Sequence, residues 1–273
     1  MKALDPSATM KRVDPTASAA DNADDAKHKL TFRVKGKEQV LHQNSYAFEP
    51  FLLKSGIFRP AAGARVTHAE YVQIGALGNT TVLFKGEELR QDDLRVLLAL
   101  IKLRMGSDVR NVLQLTPRTF CRENLGWSDS SDSAAKLKAS LLRLYEARLQ
   151  VTYFNGDVGR YSFVADVKIS SDSCAVWLGP CLVEMFQRNT TLLKIDQRLA
   201  MKDGLESWLY GVIAADSILS FDLHELKAAA GSTYEQKDFN KHIKQCCTKL
   251  KAAGIISKAE VVKGRLIVTK CKY

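Results

Sequence analysis

The sequence contains no run approaching the ~20 consecutive apolar residues that a membrane-spanning helix needs. Residues 1–30 do not resemble a secretory leader either, because they lack an apolar core and alternate Ala, Ser, Asp and Lys. The six cysteines (Cys121, Cys174, Cys181, Cys246, Cys247 and Cys271) form no Cys-x-x-Cys pair and have no histidine nearby at zinc spacing. They read as reduced core or half-buried side chains. The five histidines (His28, His42, His68, His224 and His242) make no His-x-His or His-Glu-x-x-His cluster, which argues against a metal-dependent nickase or protease. His224 and His242 fall in helices and read as surface or capping residues. A Gly-x-x-x-x-Gly-Lys-Ser/Thr phosphate loop is missing, so a helicase or loader ATPase is excluded. So are a Gly-x-Ser-x-Gly elbow and any cysteine with a base close in sequence. The expectation is a soluble, intracellular, non-enzymatic protein with no cofactor, no metal and no membrane partner.

What the chain does have is length, apolar content and positive charge. Its 273 residues leave room for about two domains at ~100–200 residues each. With 46% hydrophobic residues, most of it should fold. Forty Lys and Arg against 30 Asp and Glu give a net charge of +10. Excess positive charge favours a polyanion, either nucleic acid or an anionic membrane surface.

The stretch 92–151 organises the rest. Asp92-Asp93 leads a helix that places Leu94, Leu97, Leu98, Ile101 and Met105 on one face. The two carboxylates lie in its first turn, at the positive end of the helix dipole, a structural account preferred here to a catalytic or metal-binding acid pair. Thr116 can cap a short helix with Pro117 at its first position and Gly126 at its end. A polar turn at 129–133 leads into a helix over 134–149, with Leu137, Leu141, Leu142, Leu144, Tyr145 and Leu149 as its buried stripe. Strand-like runs at 151–154 and 161–169 hinge at Asn155-Gly156, residues suited to a tight turn. Three helices and a hairpin in this order outline a winged helix-turn-helix, a DNA-reading module.

Upstream, residues 1–30 carry five basic and five acidic side chains and few aromatics, so a disordered tail is expected. The alternation at 30–40 suggests an edge strand or a partner-binding arm. Phe48, Phe51, Leu52, Leu53, Ile57 and Phe58 form an apolar patch that either packs back on the first domain or serves self-association. Downstream, 174–178 reads as a strand, Gly179-Pro180 as a break and 182–186 as a connecting helix.

From Leu192 the plan repeats. A strand at 192–195 precedes a helix at 197–214, a short helix at 221–230 closed by Gly231, and a capping-box start at Ser232-Thr233-Tyr234-Glu235 for a last helix reaching Ala253. A hairpin at 255–262 and 265–271 turns across Lys263-Gly264. Sliding the sequence by 106 residues sets Leu137 on Ile243, Phe120 on Leu226, Leu144 on Leu250, Ala147 on Ala253 and Leu149 on Ile255. The expected fold class is α+β: two tandem winged-helix (helix-turn-helix) domains behind a disordered N-terminal tail. The boundaries read as 1–45 for tail and arm, 46–189 for the first domain with its packing segment, and 190–273 for the second.

Residues 232–273 hold ten basic and three acidic side chains. Lys237, Lys241, Lys244, Thr248 and Lys251 recur at i, i+4, i+7, i+11 and i+14, opposite Phe239, Ile243, Cys246, Cys247 and Leu250. A lysine face almost without glutamates, beside a hairpin tip with Lys263 and Arg265, is the pattern of a phosphate-contacting surface. Asn240 could read an adenine edge. In the first domain the corresponding candidates are Ser133, Lys136, Ser140 and Arg143, with Arg160 on the hairpin. Lys136, Ser140 and Arg143 share a helix face that an ordinary solvated face would also produce.

Several of these residues carry a family resemblance. The run Gly86-Glu87-Glu88-Leu89-Arg90-Gln91-Asp92-Asp93-Leu94 resembles the Gly-x-Glu-Leu-Arg-x-Asp-Asp signature of TrfA-type plasmid replication initiators. Leu125-Gly126-Trp127-Ser128 and the following Leu141 to Ala147 helix are similar to the same proteins, as is Lys54-Ser55-Gly56-Ile57-Phe58 to their Arg-Ser-x-Leu-Phe segment. The resemblance implies a cytoplasmic, plasmid-associated initiator that binds direct repeats (iterons) at an origin and helps open adjacent AT-rich DNA. It also implies recruitment of the host DnaA and replicative helicase, and exchange between dimer and monomer. Trp127 then reads as a plug behind the helix-turn-helix. A winged-helix repressor binding one operator is the rival reading, and a protein-only adaptor a third.

Overall fold

The computed structural model describes residues 31–34, 37–40, 45–78, 81–105, 112–153, 155–179, 191–216 and 219–271. Strands β1 (Thr31–Val34) and β2 (Lys37–Val40) pair antiparallel as a hairpin where the alternation suggested an edge strand or arm. Then come β3 (Ser45–Phe48), the one-turn helix α1 (Pro50–Leu53), β4 (Phe58–Arg59), β5 (Thr67–Ile74), β6 (Thr81–Glu87), β7 (Leu89–Arg90) and helix α2 (Gln91–Met105). Next are β8 (Leu113–Leu115), α3 (Pro117–Phe120) widening into a π-turn at Cys121–Leu125, and α4 (Ser131–Glu146). Four strands follow: β9 (Arg148–Thr152), β10 (Val158–Tyr161), β11 (Val164–Ile169) and β12 (Cys174–Leu178). The last stretch holds β13 (Thr191–Lys194), α5 (Ile195–Ala200), α6 (Leu205–Ala215), β14 (Ser220–Asp222), α7 (Leu223–Ala229), α8 (Gln236–Ala252), β15 (Ile256–Val262) and β16 (Arg265–Lys270). The helix expected at 182–186, Cys181 and the tail 1–30 lie outside the described residues.

One connectivity occurs twice. In the first unit α2, β8, α3, α4, β11 and β12 follow in order, with β8 and β11 flanking β12; in the second α6, β14, α7, α8, β15 and β16 do the same, with β14 and β15 flanking β16. Leu137 and Ile243, Phe120 and Leu226, and Leu144 and Leu250 are buried pairwise in the two units. The 106-residue correspondence ends there, since Ala147 is buried and Ala253 exposed. Leu149 and Ile255 are both buried, but Leu149 lies in β9 and Ile255 in the bend before β15. Leu149 pairs with Phe84, and Val151 with Val82, inside a four-stranded sheet of order β10-β9-β6-β5. The Asn155-Gly156 hairpin is therefore an insertion between α4 and the first unit's own hairpin, β11–β12, which turns at residues 170–173. Asn-Gly suits the turn whichever sheet its strands join.

Several boundaries move for identifiable reasons. Helix α4 starts at Ser131 because Ser130 caps it, accepting from the Ser133 N–H at 3.1 Å. Its Leu142 points outward, 44% exposed, rather than into the core. Thr116 precedes α3 without a side-chain cap, and Glu235 holds that place before α8, so the expected capping box is not formed. Residues 197–214 are two helices. The break at 201–204 runs through Gly204 at φ +146°, and Arg95 from α2 fills it, bonding Asp203 at 3.0 Å and the carbonyls of Leu199 and Met201.

The apolar patch is packed, not presented. Phe51, Leu52, Leu53, Ile57 and Phe58 are all buried, and α1 lies against α6. Strand β3 pairs with β13, and the Trp208 indole N–H donates to the Ser55 carbonyl at 3.1 Å. The segment numbered with the first domain is thus welded to the second. Arg198, 1% exposed, donates to the Gln91 carbonyl at 2.9 Å and its side-chain oxygen at 3.0 Å, and Ser207 donates to that same oxygen. Burial pulls the Arg198 guanidinium down to about 10 despite Asp203 beside it.

Candidate nucleic-acid interface

Helix α8 is amphipathic by position. Phe239, Ile243, Cys246, Cys247 and Leu250 point into the core of the second unit, and Lys237, Lys241, Lys244, Thr248 and Lys251 point to solvent. Burial raises the Cys246 thiol to about 12 and the Cys247 thiol to about 11, so both stay protonated and inert at neutral pH. Among the described residues no carboxylate lies within ion-pairing distance of Lys237, Lys241, Lys244 or Lys251. Lys249, on the flank toward α6, is paired with Glu206 at 3.2 Å. Lys237, Asn240, Lys241, Lys244, Gln245 and Thr248 line one shallow concave face. Gln245 escaped the sequence reading, although its place in the 3.6-residue period was available. Asn240 is half-buried, and its side-chain oxygen already accepts from Gln236 at 2.8 Å. The acceptor for a bidentate adenine contact is thus engaged before any ligand arrives.

The β15–β16 hairpin stands next to this helix in the chain. Its tip is Lys263-Gly264, with Lys263 in the left-handed region at φ +49°. The Gly264 carbonyl accepts from the Leu223 N–H at 3.0 Å, which ties the tip to the first residue of α7. Lys263 is exposed, but Arg265 is braced along β14, donating to the Ser220 hydroxyl and carbonyl at 3.0 Å each.

The first unit departs from expectation. Ser140 is 1% exposed and donates to Asp93 Oδ1 at 2.6 Å; Arg143, 9% exposed, donates to that oxygen from Nε at 3.1 Å and Nη2 at 2.8 Å. The other oxygen of Asp93 accepts from Arg65 at 2.7 Å and from the Arg90 N–H at 2.8 Å. Ser140 and Arg143 are therefore corrected from reading residues to internal ones: a fully buried carboxylate needs several donors, and they are its donors. Ser133 spends its hydroxyl on Ser128 at 2.8 Å and Ser130 at 3.1 Å in the cap. Lys136 is exposed, yet its Nζ lies 3.4 Å from Asp92 and 4.3 Å from the Trp127 ring centroid. Burial alone would raise the Asp92 carboxyl, but Arg65 and Lys136 together hold it below its usual range. Lys138 donates to the carbonyls of Ser170 and Ser171, each at 2.7 Å, at the β11–β12 turn. Arg160 is exposed on β10, in the inserted hairpin rather than on β11–β12. Of the acid pair read as a helix-dipole feature, both members prove to be ion-network centres.

Among the described residues no group of three or more His, Cys, Asp or Glu is arranged to hold a metal ion, and no helix is long and apolar enough to cross a membrane. No protein-family model and no curated protein sequence matches the chain. Among solved structures, the chain is similar to the selenomethionine derivative of domains 2 and 3 of RctB, with TM-score 0.57 and 14% identity over 82% of this chain and 97% of that one. A second crystal structure of RctB domains 2–3 gives TM-score 0.52 and 14% identity over 79% and 95%. At this identity the likeness is one of fold: the chain shares the mixed α+β architecture of RctB domains 2 and 3.

Proposed function

We propose that this chain is a plasmid replication initiator in which two winged-helix units bind direct repeats (iterons) at an origin. The second binds through its α8 face and the first through exposed cations such as Arg160 on its inserted hairpin, since those of α4 are turned inward. The observation that carries the proposal is the α8 face, where Lys237, Lys241 and Lys244 stand exposed with no carboxylate partner among the described residues. Lysines so arranged suit the phosphate backbone, and a helix in that position suits the major groove. The winged-helix reading is supported by the repeated order helix, strand, helix, helix, strand, strand. The initiator reading is supported by the likeness to RctB, a replication initiator, and by the Gly86 to Leu94 run. Two linked modules in one chain gain affinity through effective concentration, which favours a direct-repeat site. Opening of AT-rich DNA, recruitment of host DnaA and helicase, and a monomer–dimer exchange belong to the same proposal through the TrfA resemblance. The proposal includes no catalytic step.

Fluorescence anisotropy over a salt series, with direct-repeat DNA from the protein's own replicon beside a scrambled duplex, tests the reading. The expected outcome is a preference of ~10³-fold or more with a steep salt slope. Equal weak binding to both duplexes would overturn it. Preference for an inverted repeat at the gene's own promoter would instead favour the repressor.

A further inference from the structure

Besides the Arg95–Asp203, Arg198–Gln91 and Trp208–Ser55 contacts, the two units meet through a short chain of partly buried charge and bare backbone. Arg59, the last residue of β4, places Nη1 2.5 Å from Glu88 Oε1, and its Nη2 donates to the Gly231 carbonyl. Gly231 lies in the turn between α7 and α8, and at φ +60° a Cβ there would come within 2.8 Å of Arg59 Nε. Glu88, 4% exposed, also accepts from Arg90 at 3.1 Å, and the Arg90 N–H donates to Asp93, the carboxylate that holds Ser140 and Arg143 of α4. Connected contacts therefore run from the turn before α8 to the middle of α4. Two glycines seat the same region. A Cβ on Gly75 would lie 2.2 Å from the Ala228 carbonyl oxygen, and one on Gly56 would lie 2.8 Å from that of Ala229, at the end of α7. Main chain pressed on main chain cannot slide without opening a void or a clash. An ion pair whose carboxylate is buried, as that of Glu88 is, holds one geometry and is costly to break by removing the cation.

We infer that Arg59 and Glu88 are positioning residues that fix the separation of the two reading units, so that the protein reads the spacing between its two DNA elements. The inference rests on the DNA-reading function proposed above. The probe is the best-bound duplex that the full chain selects from a randomised pool, remade with base pairs inserted between its two protected elements. Thermal melting first establishes that Arg59→Gln and the nearly isosteric Glu88→Gln are folded. For the wild-type chain the insertion removes simultaneous engagement and costs ~10²-fold or more, whereas in either variant the cost falls to about tenfold or less. Arg59→Lys, which keeps a cation facing Glu88, restores part of the spacing preference, which a loss of general stability would not do. Folded variants with the wild-type insertion cost overturn the inference and leave the DNA reading intact. A pool that yields no preferred duplex overturns both.

Discussion

Helices α4 and α8 occupy the same place in two copies of one connectivity, yet their cations face opposite ways. On α4, Lys136 is engaged with Asp92 and Trp127, Lys138 with two carbonyls, and Arg143 with Asp93. Toward solvent α4 shows Asp132, Ala135, Ala139, Leu142 and Glu146 beside Lys136. On α8, among the described residues, Lys249 alone of five lysines has a carboxylate partner. A charge held by a buried acid stabilises the fold, and a charge left in water attracts a polyanion. The fold thus places the same chemistry on both helices and directs it inward in one and outward in the other.

The largest expected effect comes from removing the inward partner. Asp93→Ala removes the carboxylate that hydrogen-bonds the buried Arg143, Ser140 and the Arg90 N–H and leaves the half-buried Arg65 with Asp92. It should cost about 3–5 kcal/mol of stability, measured by urea unfolding. A loss under about 1 kcal/mol would mean that water or Asp92 takes over those cations and that the inward network is dispensable. The next effect is on binding. Replacing Lys237, Lys241 and Lys244 together with Ala should lower the log–log salt slope by about 3 and weaken DNA binding on the order of 10²-fold. Lys136→Ala should leave the slope nearly unchanged. Equal loss from both replacements would erase the comparison and make α4 a phosphate-binding helix too.

How legible this was depends on the distance to the partner. The α8 face could be read because its apolar residues, its lysines and its missing glutamates all lie within one helix, and local periodicity carries that information. The α4 stripe of Lys136, Ser140 and Arg143 has the same spacing, but the acid that turns it inward lies 47 residues before Ser140 and 50 before Arg143. The signal that could have found it was the Asp92-Asp93 pair itself, with one carboxylate more than a helix dipole requires. Arg160 stands on a different hairpin from the one expected for a related reason: β9 pairs with β6, far upstream, and a turn sequence does not name the sheet its strands join. The glycine seat left no pattern at all, because only the packed fold brings Gly75 against Ala228.

A smaller effect concerns where α4 begins. Ser130→Ala removes the acceptor for the Ser133 N–H and loosens the Ser128, Ser130 and Ser133 hydroxyl cluster. It should cost about 1 kcal/mol in thermal or urea unfolding, with DNA affinity unchanged. Lost affinity at unchanged stability would return Ser133 to the interface.

The smallest effect separates Asp92 from Asp93 by pH. The Asp92 carboxyl is held below its ordinary value because Arg65 and Lys136 outweigh the opposing effect of burial. A carboxylate lowered on folding adds stability above its unfolded pKa of about 3.9 and loses it as the pH falls through the lower folded value. Asp92→Asn cannot follow that titration. The stability difference between wild type and variant should be constant above about pH 5 and shrink below about pH 4. Other carboxylates titrate in the same window, but they do so in both proteins and cancel in the difference. A difference that persists unchanged to pH 3 would mean that a neutral amide serves Arg65 and Lys136 as well as a carboxylate does. Lys136 would then be held by Trp127 and geometry rather than charge, and the inward character of α4 would rest on Asp93 alone.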